Sequence, residues 1–228
     1  MPLAARVLPQ PFREGDRMSS AEFLTRWEAM PELKHAELID GTVFLMPSPI
    51  GLAHGITQID VGALLWSYAE RTPGCQAVSE VTWVMGTGDV PQPDLTLRIL
   101  PEFGGESRNA GNYGGGAPEL IVEVTESSLS RDLGSKLELY RRTGVREYIT
   151  VLLQPKRVIW RELVRGRYRE IKPDDEGLLK SRVFPGLWLD PETLWNRKSI
   201  RAALEKGLAS AEHAAFVKRL GSRRKLKK

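Results

Sequence analysis

Two short apolar runs near the middle of the chain each carry one carboxylate. The first, 93–97, begins with proline followed by Asp94, and the second, 118–124, surrounds Glu123 with apolar residues. Continuous apolar runs of this length are typical of strands buried on both faces of a sheet. If these two strands are neighbours, the two carboxylates meet at one edge of that sheet.

The pattern before these runs predicts a helix, a hairpin and a second helix. Ser19 and Glu22 have the spacing of a capping box, so a helix is expected to start there and to end before Pro31. The pair Asp40-Gly41 between two β-rich segments predicts a hairpin over 35–46. Helical spacing over 52–71 predicts a long core-facing helix, with its apolar positions at Ile56, Ile59, Ala63, Leu64 and Trp66.

Around and after the two runs the pattern alternates between strands and helices. A single strand is expected over 75–85, and a turn over 86–89. A helix is expected to start at Ser128 or Ser130 and to end at Gly144. The remaining predicted elements are a strand over 147–153, a hairpin over 156–171, a turn at 174–177, a short segment over 178–189 and a helical stretch over 199–220.

The segment 104–116 contains six glycines. It matches neither a phosphate-binding loop nor a dinucleotide fingerprint, because it is not placed between a strand and a helix N-terminus. We therefore interpret it as a flexible connector.

This order of elements predicts an α/β (α+β) fold with a central mixed sheet flanked by helices. We divide the chain into an irregular lead-in (1–18), a main domain (19–190) and a C-terminal helix with a basic tail (191–228).

Composition narrows the class of protein. The 228 residues are 41% hydrophobic and 27% charged, as in ordinary globular domains, and no apolar run reaches the length of a membrane span. The N-terminus lacks the apolar core of a secretory signal, and the single Cys75 fits a reducing compartment. We expect a cytoplasmic protein with no membrane contact.

The formal net charge of +4 comes from the C-terminus. Residues 218–228 contain seven Lys and Arg and no acid, so residues 1–217 carry a net charge of −3. Such a segment can bind nucleic acid phosphates by counterion release, or can serve only as a solubilising tail.

Carboxylates are the remaining candidates for chemistry. The three histidines form no zinc motif, and no nucleophile elbow occurs. A hard cation such as Mg²⁺ prefers oxygen ligands, which Asp94, Glu123 and the backbone carbonyl of Val124 would supply. Lys136 lies on the helix after Glu123 and could orient or deprotonate a water molecule.

Other residues could join or replace this arrangement. Asp132 and Tyr140 share a helical face with Lys136, and Glu37 before the hairpin turn could add a carboxylate. Two alternative interpretations do not need a metal site: Asp94 could be a turn residue, and Asp132 and Lys136 could form a surface ion pair. A carboxylate at position 123 inside a buried strand is harder to explain without a partner or a metal.

The chain resembles the Uma-type endonuclease family, a bacterial branch of the PD-(D/E)XK restriction-endonuclease-like superfamily. The resemblance covers about residues 19–190. It rests on the order and spacing of Glu37-Leu38-Ile39-Asp40-Gly41, Pro47-Ser48-Pro49 with His54, Pro93-Asp94, the run 118–124, Asp132 with Lys136 and Tyr140, and the segment 144–148.

The resemblance implies a restriction-endonuclease-like core and a phosphodiester hydrolysis site that uses Mg²⁺ (or Mn²⁺). It makes Asp94 and Glu123 the two acids, Glu37 an added acid, and Lys136 the replacement for a lysine that normally stands two residues after the second acid. In this chain Thr125 occupies that position, and Thr125-Glu126 and Thr150 depart from the family pattern.

Two functions follow as hypotheses. The first is a Mg²⁺-dependent DNA endonuclease, for which a homodimer would suit double-strand cutting. The second is a nuclease fold without activity that binds nucleic acid or a protein partner. A third, a small-molecule enzyme, has no cofactor motif to support it.

Overall fold

The computed structural model describes residues 10–45, 50–125, 131–196 and 199–226, the side chains of 131, 132, 225 and 226 excepted. The helices are α1 (Ser20–Glu28), α2 (Leu52–Glu70), α3 (Lys136–Thr143), α4 (Thr193–Asn196), α5 (Arg201–Leu208) and α6 (Ala211–Leu226). The strands are β1 (Ala36–Ile39), β2 (Thr42–Leu45), β3 (Cys75–Ser79), β4 (Trp83–Val84), β5 (Leu95–Ile99), β6 (Arg108–Ala110), β7 (Tyr113–Gly115), β8 (Leu120–Thr125), β9 (Glu147–Leu152), β10 (Arg157–Val164), β11 (Arg167–Glu170), β12 (Leu179–Lys180) and β13 (Trp188–Leu189).

A six-stranded mixed sheet organises the molecule. Its strand order is β11-β10-β9-β8-β5-β3, and only β8 and β9 are parallel. The central strands β5, β8 and β9 are buried along their whole length. The predicted α+β class, with a central mixed sheet flanked by helices, is confirmed.

The two faces of the sheet bury different helices. The larger core contains side chains of α2, α5 and α6 together with β5, β8 and β9, among them Leu64, Tyr68, Leu204 and Phe216. The opposite face packs on α3 and on the end of β1, through a cluster of Ile39, Ile121, Leu139, Tyr140, Val145 and Tyr148. A smaller core holds α1 against the β1–β2 hairpin.

The N-terminal predictions are confirmed. The Ser19 hydroxyl accepts a hydrogen bond from the Glu22 N–H at 3.3 Å, and α1 ends at Glu28. Asp40 and Gly41 both have positive φ, 51° and 70°, which gives the type I′ turn that matches the twist of a hairpin.

Helix α2 forms where predicted, and Leu64 faces the core as predicted, but Ile56, Ile59 and Trp66 do not. Its buried positions are Thr57, Val61, Leu64, Leu65 and Tyr68. Ile56, Ile59 and Trp66 are instead exposed, at 49%, 67% and 63%. The helix carries apolar residues on two faces, and helical spacing by itself does not say which face meets the sheet.

The single strand predicted over 75–85 is wrong. The chain turns at Glu80, which has φ 53°, and this turn separates β3 from β4. Strand β3 pairs with β5 in the large sheet, whereas β4 joins a three-stranded sheet with β7 and β6.

The glycine-rich segment is an ordered hairpin, so its interpretation as a flexible connector was wrong. Strands β6 and β7 pair with each other, and β7 continues the pairing to β4. A Cβ atom at Gly114 would lie 2.4 Å from the ring of Trp83, so glycine is needed there for a close approach. The pattern of apolar and polar residues gives no sign of this hairpin, because the segment buries its backbone against an aromatic ring.

The helix after β8 begins with a π-helical turn, Arg131–Ser135, which continues directly into α3. Its predicted starts at Ser128 or Ser130 lie outside the described residues. Its predicted end is confirmed, because Gly144 follows it with φ 89°.

The C-terminal stretch is two helices. The α5 helix ends at Leu208, and α6 starts at Ala211 and remains helical to Leu226, beyond the predicted end at 220. Leu204, Phe216 and Leu220 belong to the main core, and the Arg224 guanidinium lies 5.3 Å from the ring of Phe103. None of the helices in the described ranges combines the length and apolarity that crossing a bilayer needs.

Candidate active site

The register of β5 and β8 brings Asp94 and Glu123 together. Leu95 is paired with Val122 in antiparallel register, so the residue before Leu95 faces the residue after Val122. Directly opposed residues of an antiparallel pair have side chains on the same face. Asp94 Oδ2 also accepts a hydrogen bond from the N–H of Val124 at 2.6 Å, which fixes the orientation of its carboxylate.

Pro93 ends the ladder beside these acids. The same register places Val124 opposite Pro93, which has no N–H to donate. The proline therefore offers the Val124 carbonyl no ladder hydrogen bond, while the Val124 N–H is taken by Asp94. This leaves a backbone oxygen at the place where the sequence predicts a metal ligand.

Helix α3 covers Glu123 with a lysine and a tyrosine. Glu123 Oε1 accepts hydrogen bonds from Lys136 Nζ at 2.9 Å and from Tyr140 Oη at 2.7 Å. The two donors are four residues apart, so they lie on the same face of the helix. Burial, and next the negative charges of Glu123 and Glu37, raise the pKa of Tyr140 well above its usual value, so this phenol stays a hydrogen-bond donor at neutral pH.

Strand β1 contributes the third carboxylate. Glu37 Oε1 lies 3.0 Å from Lys136 Nζ and accepts a hydrogen bond from the N–H of Gln92 at 2.8 Å. Its second oxygen, Oε2, is buried and has no hydrogen-bond partner among the described residues. A buried oxygen in this state needs a further ligand, such as a water molecule or a cation.

These residues form a buried cluster with excess negative charge. Glu37, Glu123 and Lys136 are exposed by only 0%, 3% and 1%, and the side chain of Asp94 by 20%. Three carboxylates and one ammonium carry a net charge of −2 when ionised. Burying such a charge costs several kcal/mol without compensation, and one divalent cation would neutralise it.

The oxygen atoms at this site are of the type that Mg²⁺ prefers as ligands. Mg²⁺ usually takes one or two carboxylates and completes its shell with water and substrate phosphate oxygens. Asp94, Glu123 and the Val124 carbonyl are such donors. Within the described ranges, no group of three or more His, Cys, Asp or Glu side chains could hold a metal ion by itself.

The structure brings the four predicted side chains, Glu37, Asp94, Glu123 and Lys136, into one region, and Lys136 reaches Glu123 from α3. Thr125, two residues after Glu123, is buried at 2% exposure. The side chain of Asp132 lies outside the described residues, as do Pro47-Ser48-Pro49 and Glu126.

His54 lies beside the predicted site residues, although the sequence pattern did not predict it as one of them. His54 belongs to the first turns of α2, and its Nε2 lies 3.5 Å from Asp94 Oδ2. His54 was present in one of the motifs that carry the family resemblance, Pro47-Ser48-Pro49 with His54. Spacing along the chain gave no reason to connect it with an aspartate forty residues later.

Comparisons with known proteins agree with this fold. The model of the Uma2 family, described as "Putative restriction endonuclease", matches residues 21–192. A crystal structure of a putative nuclease belonging to DUF820 from Anabaena variabilis ATCC 29413 is similar, with a TM-score of 0.54 and 17% identity over 80% of this chain and 97% of that chain. At this identity the likeness shows the fold. No curated protein matches the chain.

The family model extends from α1 to the segment after β13 and includes every residue of the cluster described above. The chain has a nuclease-like fold, and it belongs to the Uma2 family of restriction-endonuclease-like proteins.

Proposed function

We propose that this protein is a Mg²⁺-dependent endonuclease that hydrolyses DNA phosphodiester bonds. The observation that carries the proposal is the buried cluster in which Lys136 lies between Glu37 and Glu123, at 3.0 and 2.9 Å, beside Asp94. A simple ion pair has one carboxylate for each ammonium group, whereas here two carboxylates contact the same ammonium group and a third lies close by.

Asp94, Glu123 and the Val124 carbonyl would hold the cation, which is Mg²⁺ or Mn²⁺. When bound, such an ion polarises a phosphoryl oxygen and lowers the pKa of a coordinated water molecule. The protein contributes the position of each ligand: the Val124 N–H orients Asp94, and Tyr140 and Lys136 orient Glu123.

Lys136 supplies positive charge where negative charge develops. Its ammonium is held by two carboxylates and is shielded from solvent, so its interaction with a nearby phosphate oxygen is stronger than in water. The hydrolysis adds one water molecule across a P–O bond: the water oxygen bonds to phosphorus, and the bridging oxygen leaves and takes a proton.

The test is cleavage of DNA by purified protein. We expect supercoiled plasmid or single-stranded circular DNA to be cut in Mg²⁺ or Mn²⁺ and left intact in EDTA. Glu123→Gln removes a cation ligand while it keeps the side-chain volume, and we expect it to reduce cleavage at least about 100-fold, the scale of removing one group that stabilises a transition state. Glu192→Gln is the matched control, because Glu192 is exposed.

Calorimetry with Mn²⁺ separates the proposal from the alternative of an inactive nuclease fold. We expect one Mn²⁺ site per chain, weakened in Asp94→Asn. A protein that binds no divalent cation and cuts neither DNA form contradicts the proposal, and salt-dependent DNA binding under those conditions would favour the alternative.

A further inference from the structure

The exposed apolar side chains concentrate on one helix. Among the described residues, the large hydrophobic side chains that remain exposed are Ile50, Leu52, Ile56, Ile59 and Trp66, at 57%, 81%, 49%, 67% and 63%. Four of them lie on α2 and the fifth just before it. Single exposed apolar residues are ordinary, but a contiguous group of this kind marks an interaction surface.

The spacing of these residues is that of a helix–helix contact. Leu52, Ile56, Ile59, Ala63 and Trp66 follow one another at intervals of four, three, four and three residues. This alternation gives the 3.5-residue repeat of a coiled-coil contact line, and it lies opposite the face that α2 buries against the sheet. We call these five residues the α2 seam.

The charges on α2 disfavour two kinds of partner. Residues 52–70 contain Asp60 and Glu70 but no lysine or arginine. Phosphate-binding surfaces and helices that lie on membranes are rich in lysine and arginine. The seam therefore suits neither a nucleic acid backbone nor an anionic bilayer, and it suits an apolar protein surface.

We propose that the α2 seam is a homodimer interface in which the α2 helices of two copies pack antiparallel about a two-fold axis near residue 61. In that register Ile59 faces the partner's Ala63, and Ile56 faces the partner's Trp66. A two-fold interface needs a surface that is complementary to itself, and the seam offers a small side chain opposite a large one at its centre.

A groove beside the seam supplies room for the largest side chain. It has a volume of about 680 Å³, lies between α2 and β3, and is lined in part by Gly55, Gly62, Ala77 and Ser79. A Cβ atom built on Gly55 meets nothing within 4 Å. In the proposed register Gly55 is next to the position that faces the partner's Trp66, so the indole can fill the space above it.

The area of the α2 seam can be compared with the area that a standard protein interface buries. A helix of this length is roughly 28 Å long and 10–12 Å wide, so the seam alone covers about 300 Å² in projection. A standard interface buries about 800 Å² on each partner, so the seam alone is small and we expect a weak dimer, with a dissociation constant on the order of micromolar. His54 and its copy would be separated by about 21 Å along the helix pair, which puts two candidate sites in one assembly.

Sedimentation of the full chain tests the interface independently of any nuclease activity. Between about 1 and 100 μM, the range for a small interface, we expect the mass to rise from 25.5 kDa towards twice that value. Ile59→Asp places two carboxylates near the axis and should leave only monomer, with unchanged circular dichroism because Ile59 is exposed. Ala215→Asp, at an exposed position of α6, is the matched control and should dimerise like the wild type.

Mixing two variants tests the register. Ile59→Asp and Ala63→Lys should each be monomeric alone, because each homodimer places two charges against apolar side chains. A mixture should form a heterodimer, since the aspartate then faces the lysine of the other chain. A wild type that stays monomeric up to about 100 μM, or an Ile59→Asp variant that still dimerises, overturns the interface. Failure of the mixture to associate overturns the antiparallel register.

Discussion

At the scale of single residues, a lysine on a helix can bring its ammonium group to an acid that a lysine on the neighbouring strand would otherwise contact. The superfamily pattern expects a lysine two residues after the second acid, where this chain has Thr125. Lys136 reaches the same carboxylate from α3, 2.9 Å from Glu123 Oε1. A second carboxylate, Glu37, holds the other side of the ammonium, so the lysine is fixed by two strands and one helix.

Lys136→Met tests this arrangement. Methionine keeps most of the volume but removes the charge, so Glu37 and Glu123 would face each other without compensation. Breaking a buried ion pair in this way typically costs about 3–5 kcal/mol, and we expect a loss of this size in the free energy of unfolding, together with loss of cleavage. Urea denaturation with and without Mn²⁺ measures the effect.

Bound Mn²⁺ should recover part of the lost stability, because a cation at the same carboxylates replaces the missing charge. Lys206→Met is the control, since the side chain of Lys206 is 64% exposed in its pair with Glu176. If Lys136→Met unfolds like this control, the cluster does not have the energetic role assigned to it.

At the scale of elements, a second buried carboxylate holds the chain after β12 to the main sheet. Glu147, the first residue of β9, accepts hydrogen bonds from Ser181 Oγ, Trp160 Nε1 and the N–H groups of Arg182 and Val183, at 2.6–3.1 Å. All four partners are donors. This carboxylate is therefore a structural connection, and it lies three residue pairs from Glu123 along the parallel β8–β9 ladder.

Burial raises the pKa of Glu147 to about 7, so Glu147→Gln should destabilise the fold most clearly above that pH, where the carboxylate is ionised, although the two side chains have the same shape. An amide NH₂ would face two donors and leave them unsatisfied, which costs about 1–3 kcal/mol. Urea denaturation measures the loss, and Glu192→Gln, at an exposed position, should change stability by no more than about 0.5 kcal/mol. Equal stability of the two variants would contradict this assignment.

At the scale of the whole molecule, the candidate site and the basic helix lie at opposite ends of β5. Asp94 precedes the strand, whereas Phe103, which follows it, carries the guanidinium of Arg224. Five residues of strand span about 17 Å, so the basic residues of α6 do not line the site. We predict that they hold a nucleic acid at a distance from the candidate site.

Replacing Lys218, Arg219 and Arg223 by glutamine tests this role. All three are exposed, and Arg224 is left in place because it packs on Phe103. We expect weaker DNA binding and a shallower dependence on salt, by up to about 0.9 for each phosphate that the variant no longer neutralises, with Mn²⁺ affinity unchanged. Fluorescence anisotropy at several salt concentrations measures the slope, and an unchanged slope would exclude α6 from DNA binding.

The packing of α6 on the rest of the molecule depends on a neutral histidine. His213 Nδ1 lies 3.0 Å from the Leu208 carbonyl, and Nε2 lies 2.9 Å from Thr72 Oγ1. The carbonyl can only accept, so Nδ1 carries the proton and Nε2 accepts from the Thr72 hydroxyl. Burial lowers the pKa of His213 below its usual value.

A lowered pKa in the folded state fixes the sign of a pH effect. Below the ordinary histidine pKa of about 6.5 the unfolded chain takes up a proton that the folded chain excludes, so this contribution to stability is present above that pH and lost as the pH falls through it. We expect the difference in unfolding free energy between wild type and His213→Gln to shrink from pH 7.5 to 5.5. A difference that grows over this range would mean that the folded state prefers the charged imidazole.

The sequence alone determined the class of fold and most of its elements. It also singled out Glu37, Asp94, Glu123 and Lys136, which the structure brings together, but it did not single out His54. Local signals were sufficient for the type I′ turn at Asp40-Gly41, the cap at Ser19 and the end of α3 at Gly144, because each depends on the chemistry of adjacent residues. The sequence could predict that the carboxylates at 94 and 123 lie close together, because a proline and an apolar run mark each of the two strands that carry them.

Tertiary structure decided what depends on contacts between distant segments. Only packing selects which apolar face of α2 meets the sheet, and only the approach of Trp83 to Gly114 makes the glycine-rich segment an ordered hairpin. The meeting of Glu37, Lys136 and Glu123, and of His54 with Asp94, brings together residues of β1, α2, β8 and α3 and the start of β5. Burial then strengthens the interactions between these charges, since the same residues in water would form only weak ion pairs.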